Sequence, residues 1–450
     1  MLRKGKILAT VGGYDNMFYD RVVQAKRQFG SSWKPLLFAL AHQLGWRYDD
    51  LLENRNNVIQ YGRQFYYPRA DHKKRGDQVT IQWASTRSEN IASVYLLSHL
   101  LDPVSLTQYG EILKEVGLHR KPAESIKQYW KRLRDQEGIH LGEYGQKEIR
   151  YGRVKEELIQ ELHLDGQSLQ ANWVRSLPLG LGFAKQIQKA SGERKQFLKH
   201  HFYFYEKHLS QFEEVLYLGE HQDGKLGAFL NQELPAGWTP IESLPFFSLK
   251  ENVWLEGKIQ VKYLEALSES LKTTRRTDLS LADLYYLPQF RTLVGMRYFS
   301  KHCKAMGLFH ESKEVLSMVL GANDITLFEM TQAYQTLLSG LFYHGVTPKK
   351  GSVLIDRITD KEGEVIFENT IRKQKVLNPK SVFQSQLGLE SVVRNGTGKR
   401  AFYGVGFKNA GGFLRFPTAG KTGTTNSFKN AAFWIKKARE KNWKWSADFL

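Results

Sequence analysis

The sequence predicts an α/β (α+β) catalytic fold with a mostly helical middle region. Three observations predict it. A short apolar strand precedes an apolar helix near the N-terminus. The middle of the chain is helix-rich. The last third alternates helices with strands that carry glycine turns, the pattern of helices packed on a sheet.

Residues 6–12 read as a strand closed by Gly12-Gly13. Residues 31–46 read as a helix: Pro35 suits an early turn, and Leu36, Leu37, Ala39, Leu40 and Leu44 recur at helical spacing. Residues 77–101 hold a polar approach followed by the apolar helix that starts near Ile91. Over residues 192–217, Phe197, Phe202, Tyr205, Leu209, Phe212 and Leu216 fit one face of an amphipathic helix. The aromatic run from His201 to Tyr205 reads as core with snorkelling rings, with stacking on a sugar or a partner as the alternative. Residues 325–345 read as an apolar helix ending near Gly345. Val353–Ile358 and Lys361–Ile366 read as strands around a glycine-bearing turn, 382–394 as a helix and 418–425 as strand-compatible.

Composition narrows the function classes. At 450 residues with 41% hydrophobic side chains, the chain has material for two or three domains and is not a disordered polymer. Its one cysteine, Cys303, excludes an intrachain disulfide framework and a multi-cysteine zinc site. No cofactor and no metal are expected. The net charge of +19 is uneven: residues 1–103 carry +6, residues 104–290 carry none and residues 291–450 carry +13. A basic excess suits nucleic acid, a membrane surface or an anionic polymer, or simply reflects a basic proteome. No nucleic-acid-binding motif accompanies it, so nucleic acid is not an expected partner. No run approaches the roughly 18 apolar residues of a spanning helix. The apolar run behind the basic start, Ile7–Val11, is too short for a signal-peptide core, so the sequence as written predicts no export signal and no anchor.

Three short motifs carry the chemistry. They are Ser31-Ser32-Trp33-Lys34, Ser88-Glu89-Asn90 and Lys421-Thr422-Gly423-Thr424. Chance alone would supply roughly two S-x-x-K matches at ordinary abundance. Here each motif occurs once, and in one order. A serine hydroxyl needs a base to become a nucleophile. Residues three apart on a helix share a face, so Lys34 is placed to reach the Ser31 hydroxyl. Lysine is a base only when neutral, and burial or a second cation disfavours its charge. Lys421 is the candidate second cation, and Ser88 the proton relay between the lysines. Asn90 offers an amide donor and acceptor for a peptide backbone. Gly423 permits close approach to the strand edge. The amides of Ser31 and Thr424 are the candidate oxyanion donors.

Each motif also has a purely structural reading. Ser31 is a possible cap for the helix at 31–46. Ser88 or Asn90 can cap the helix starting near Ile91. Lys421 can be a solvated strand residue.

The ordered set is known, with Ser-Asp-Asn in the middle, from class A β-lactamases and penicillin-binding proteins; this chain has Glu89 at the central position. Over about half its length it resembles the transpeptidase domain of class A, bifunctional-type penicillin-binding proteins. The segment from Ile7 to Pro35 resembles the entry to the family's nucleophile helix. Tyr67-Pro68-Arg69 and Gln78-Val79-Thr80 sit before the second motif as in the family. Leu320–Thr326 followed by Ala333-Tyr334 matches a family helix. Val392-Val393 and Gly396-Thr397-Gly398 precede the third motif.

The resemblance implies a penicillin-binding protein/serine β-lactamase-like transpeptidase fold and a D,D-transpeptidase. Ser31 would attack the carbonyl between two D-alanines of a peptidoglycan stem peptide, and a neighbouring amine would take the acyl group. β-Lactams would acylate Ser31. Thr422 and Thr424, with Lys421, would hold the substrate carboxylate. It implies a bacterial envelope location on the outer face of the inner membrane, with membrane association only through an anchor this chain lacks. The alternatives are a D,D-carboxypeptidase or β-lactamase, or an inactive truncated scaffold of the cell wall.

The chain departs from the family in three ways. The second and third motifs are too far apart, which implies a transpeptidase domain in two parts, 1–103 and 291–450, around an insertion at 104–290. Both Asp102–Arg120 and Arg291–Phe309 resemble the same family helix, so 121–310 is the alternative insertion. The usual glycosyltransferase domain is not seen. The pattern fails after Phe433, where Ile435-Lys436-Lys437 leads to Lys441–Trp445, and a truncated product is the expectation.

Overall fold

The computed structural model describes residues 2–13, 19–54, 59–61, 64–66, 68–73, 76, 78–139, 143–168, 171, 174, 217–221, 226–229, 238–240, 281–310, 313–345, 354–400, 418–424, 430–436 and 448–449. The chain divides into two compact units. One comprises Met1–Asn56, Pro68–Leu118 and Val294–Leu450; the other comprises Asn57–Tyr67 and His119–Leu293.

The first unit is a mixed α/β structure. Strand β1 (Leu2–Arg3) pairs antiparallel with β2 (Lys6–Ile7). The strand expected over 6–12 therefore pairs only at its start. Strand β3 (Lys26–Gln28) leads to helix α1 (Lys34–Leu44). Pro35 sits in its first turn, where no backbone N–H is needed. Leu36, Leu37, Ala39, Leu40 and Ala41 are all fully buried, so α1 is a central helix rather than an amphipathic surface one.

Strand β4 (Leu51–Glu53) pairs with β5 (Gln78–Thr80). Helices α2 (Ile81–Arg87) and α3 (Asn90–Ser98) follow, and the Thr80 hydroxyl caps α2 by accepting from the Trp83 amide. Helix α4 spans Leu106–Glu115 and α5 spans Pro288–Ala305. Both are followed by a Gly-Leu pair whose leucine amide bonds back into the last turn: Leu118 to the Leu113 carbonyl, and Leu308 to that of Cys303. The two segments that resemble one family helix thus end alike.

Strand β6 (Asp324–Thr326) precedes α6 (Leu327–Ser339), which Thr326 and Glu329 close with a reciprocal capping box. The helix expected over 325–345 stops at Gly340. Its last stretch is instead strand β7 (Leu341–His344), paired with β10 (Arg372–Lys375). The apolar residues there are buried by strand pairing, which a periodicity count does not distinguish from a helical end. Strands β8 (Arg357–Thr359) and β9 (Val365–Glu368) form the expected hairpin, later by one to four residues. Helix α7 (Pro379–Asn395) is capped by Asn378. Strand β11 (Thr418–Thr424) pairs with β12 (Asn430–Lys436), which in turn pairs with β13 (Asp448–Phe449). Helix α1 packs against α7, α6, α2 and α3 and forms the centre on which the site is built.

The second unit contains helices Ile126–Glu137 and Glu143–Leu164 and a short helix Leu281–Tyr285. Arg153 on the second of these is paired with the buried Asp283 on the third. The unit also holds a three-stranded antiparallel sheet with Tyr217–His221 in the centre, Leu226–Phe229 and Trp238–Pro240 at its sides. The sheet was not expected in a helix-rich region. The amphipathic helix expected over 192–217, with its aromatic run 201–205, lies outside the described residues except for Tyr217, which opens a strand. Among the described residues no helix is long and apolar enough to cross a membrane.

Candidate active site

A constrained turn delivers Ser31. β3 is held against β6, with Gln28 opposite Asp324 and Lys26 opposite Thr326. The chain then passes through Gly30 at φ +55° into a 3-10 turn, Gly30–Trp33. A Cβ on Gly30 would lie 2.1 Å from the Thr424 carbonyl oxygen, so both the conformation and the neighbour require glycine. Helix α1 begins only at Lys34, three residues later than the expected start at Ser31. Ser31 thus lies in the turn and Lys34 at the first position of the helix. Ser31 caps nothing: no side-chain cap bond is made at the N-terminus of the turn or of α1. Its half-buried hydroxyl has no hydrogen-bond partner among the described residues.

Lys34 goes inward. It is fully buried, and its Nζ donates to the Ser88 carbonyl at 2.5 Å and to Asn90 Oδ1 at 2.6 Å, with Ser88 Oγ at 3.2 Å. The structure thus joins Lys34 to Ser88 and Asn90 and not to Ser31, because three oxygens at the α2–α3 junction already satisfy the amine.

Ser88 occupies a left-handed conformation, φ +61°, at the C-terminus of α2. A non-glycine residue pays roughly 1–2 kcal/mol for that region. Its hydroxyl also caps nothing. The N-cap of α3 is Glu89, and it makes no side-chain cap bond. The Ser88 hydroxyl instead accepts from Lys421 Nζ at 2.7 Å, while Lys421 also donates to the Thr422 carbonyl at 2.9 Å. Lys421 is only 2% exposed, so it is not a solvated strand residue. The capping readings of Ser31 and Ser88 and the surface reading of Lys421 all fail.

Two buried amines therefore share one hydroxyl. Burial pushes Lys34 down to about 7, against a partial pull upward from Asp71 and Glu89. Burial, and then the charge of Lys34, hold Lys421 well below the ordinary lysine value. Within this pair one amine can be neutral near pH 7 and serve as a base.

The rim is strand β11. Thr422 Oγ1 lies 2.7 Å from Thr397 Oγ1, which follows α7. A Cβ on Gly423 would lie 2.4 Å from the Phe29 carbonyl oxygen and 2.7 Å from Ser32 Oγ. The strand thus lies directly against the turn that carries Ser31, and the exposed Thr424 stands beside Gly30.

Sequence comparison finds relatives over part of this chain. Penicillin-binding protein 2D of Bacillus subtilis is 27% identical over 152 residues, 33% of this chain and 20% of that protein. Penicillin-binding protein 1B of Haemophilus influenzae is 28% identical over 141 residues, 31% of this chain and 16% of that protein. Penicillin-binding protein 1A of Aquifex aeolicus is 31% identical over 141 residues, 31% and 17% of the two chains. This chain is a sequence relative of the penicillin-binding proteins. It spans about a fifth or less of the length of these curated relatives. No family model matches it. Among solved structures, penicillin-binding protein 1A from Haemophilus influenzae aligns with a TM-score of 0.40 and 12% identity, covering 95% of this chain and 39% of that one. Penicillin-binding protein A from M. tuberculosis, solved as an imipenem acyl-enzyme complex, aligns with a TM-score of 0.37 and 11% identity, covering 94% and 55%.

The motifs of this penicillin-binding-protein relative did not reveal every residue at the site. Thr397 was legible only as context for the third motif. Tyr334 on α6 is fully buried and donates its hydroxyl to the Ser32 carbonyl at 2.9 Å, steadying the turn that holds Ser31. Glu89 is 2% exposed and accepts from Trp83 Nε1 at 3.3 Å and Asn54 Nδ2 at 3.4 Å. Asp71 and His72 stand beside it, and nothing in their local sequence signals that.

Proposed function

We propose that this chain is a penicillin-binding serine D,D-transpeptidase that cross-links peptidoglycan stem peptides through an acyl-enzyme on Ser31. The Ser88 hydroxyl held between two buried lysines carries the reading, because that arrangement has no structural purpose that an apolar core would not serve better. The ordered motifs and the sequence relatives support it. All eight candidate residues belong to the first compact unit.

In this mechanism neutral Lys34 takes the Ser31 hydroxyl proton as Oγ attacks the carbonyl between two D-alanines. Hydrogen bonds of this kind are often long in a free enzyme and tighten with substrate. Ser88 passes a proton between the lysines and on to the leaving D-alanine nitrogen, and the burial that lowers both amines makes a neutral Lys34 available as the base. The amides of Ser31 and Thr424 stabilise the oxyanion, each worth about 2.7–4 kcal/mol of barrier. Asn90 and the strand edge at Gly423 hold the peptide backbone, and Thr422 and Thr424 hold the terminal carboxylate. An amine of a second stem peptide then displaces Ser31. No cofactor takes part. β-Lactams are the inhibitors, since their acyl-enzymes lack a leaving group that departs. The catalytic module is assigned to 1–103 with 291–450, around an insertion at 104–290. Its place is the bacterial cell envelope, where the basic flanks face anionic wall polymer and lipid.

The 450-residue chain is incubated with a fluorescent penicillin, denatured and examined for covalent label. Stable label in the wild type and none in Ser31→Ala is expected. No label on folded wild-type protein, or label that persists in Ser31→Ala, overturns the assignment. Label that turns over within seconds assigns the chain to the β-lactamases instead.

A further inference from the structure

Among the described residues, the two lysines of the site have no carboxylate in contact. Among the described residues no ion pair reaches Lys34 or Lys421, and their hydrogen bonds go to hydroxyl, amide and carbonyl oxygens. Two amines in a dry site need a counter-charge at some distance, and the structure holds one. Glu89 lies between Ser88 and Asn90, the two residues that ligate Lys34, and its carboxylate is anchored by Trp83 and Asn54. His72 reaches it, Nε2 lying 3.3 Å from Glu89 Oε1, while Nδ1 of the same ring lies 2.7 Å from Asp71 Oδ1. One imidazole therefore bridges a buried carboxylate to an exposed one.

We propose that Asp71 and Glu89, bridged by His72, are the counter-charges of the Lys34–Ser88–Lys421 site and set how many protons its two lysines hold. They are positioning residues, acting through the lysines and not on substrate. The charged groups facing the pair are Lys34 from α1, Lys421 from β11, Glu89 from the α2–α3 junction, and Asp71 with His72 from the segment 68–73. Asp71 acts on both lysines and Glu89 on Lys34, each favouring the ammonium against burial. The distance matters chemically. A carboxylate in direct contact would lock Lys34 as an ammonium and remove the base. A carboxylate one residue removed offsets part of the desolvation and leaves the amine free to release its proton. A neutral imidazole can donate to only one of its two carboxylate neighbours and an imidazolium to both, so the bridge also holds the two acids in register. Neither Asp71 nor His72 belongs to the three motifs.

The inference rests on the transpeptidase reading for its consequence in catalysis, but its test does not. Protein labelled with ¹³C at the lysine ε-carbon is titrated by NMR, with the Lys34 resonance assigned through Lys34→Met. Asp71→Asn removes charge from an exposed position and leaves the buried packing intact. Glu89→Gln removes the buried charge and is the second variant. The Lys34 midpoint is expected to fall by about half a pH unit or more in Asp71→Asn, and by less in Glu89→Gln. The same downward displacement is expected in the pH profile of penicillin acylation. Added salt at 0.5 M should shrink the Asp71 effect by screening it. A Lys34 midpoint unchanged in folded Asp71→Asn overturns the inference even if acylation slows, because a merely structural role alters rates and stability without moving the titration. If wild-type protein takes no penicillin label, the transpeptidase reading fails while the NMR midpoints still decide this one.

Discussion

Lys34 should make the fold less stable at neutral pH than at alkaline pH, by an amount that its burial predicts. An unfolded lysine keeps its proton up to about 10.5, whereas folded Lys34 releases it near 7. Between those values the unfolded chain binds one more proton than the folded one. Stability therefore rises with pH, at up to about 1.4 kcal/mol per unit for this group. Below about 7 both states are protonated and the contribution is flat. Integrating from pH 7 to pH 9, with half the folded-state proton still bound at pH 7, gives about 2 kcal/mol. Lys34→Met removes the group while filling most of its space. The mutation also strips donors from the Ser88 carbonyl and Asn90 Oδ1, but that loss is common to both pH values and cancels in the difference. Lys421 has the same sense of dependence, and losing Lys34 relieves part of its depression, so it adds to the difference. Urea unfolding at pH 7 and pH 9 measures it. Wild type should gain about 2 kcal/mol or more relative to Lys34→Met on going to pH 9. Parallel stability–pH lines for the two proteins would refute the claim that Lys34 is neutral in the fold at alkaline and near-neutral pH.

Further outcomes follow from single positions. Ser88→Gly should be more stable than Ser88→Ala by about 1 kcal/mol, because glycine alone relieves the left-handed φ of +61°; equal stabilities in urea would place the strain elsewhere. Gly423→Ala puts a methyl 2.4 Å from the Phe29 carbonyl and should cost about 1–3 kcal/mol and slow penicillin labelling, read by melting and gel fluorescence. Burial pushes the His302 imidazole down to about 4 from its ordinary 6.5. Its folded value being the lower one, stability is expected to fall by roughly 3 kcal/mol as the pH drops through that window, and His302→Leu should flatten that part of the acid-unfolding curve.

The motifs were legible because each is short and chemically unusual. Ser31, Lys34, Ser88, Asn90 and Lys421 could be named without knowing any contact between them. What could not be read was the wiring. Spacing placed Lys34 under Ser31, yet its amine is spent on Ser88 and Asn90, oxygens more than fifty positions away along the chain. Helix starts were misplaced where the backbone departs from the helix for a tertiary reason: α1 begins at Lys34 because the preceding turn must let Gly30 pass against Thr424. The end of α6 was misplaced because Leu341–His344 is equally apolar as a paired strand. Asp71 and His72 carried no signal at all, since a His bridging two carboxylates has no fixed sequence spacing.

The long distance between the second and third motifs does not keep them apart in the fold. Ser88 and Lys421 are in hydrogen-bond contact although 333 positions separate them. Closing a loop costs free energy only as the logarithm of its length, about 0.6 kcal/mol for each doubling. A long additional segment that folds as its own compact unit therefore taxes the site little. The local contacts that assemble the site are far less forgiving: Gly30 against Thr424, Gly423 against Phe29, and Lys421 against Ser88 each tolerate displacements of well under a methyl group. In this architecture the identity of a few residues constrains function tightly, whereas the number of residues between them constrains it weakly, so an atypical spacing is weak ground for rejecting a site whose buried partners are all in place.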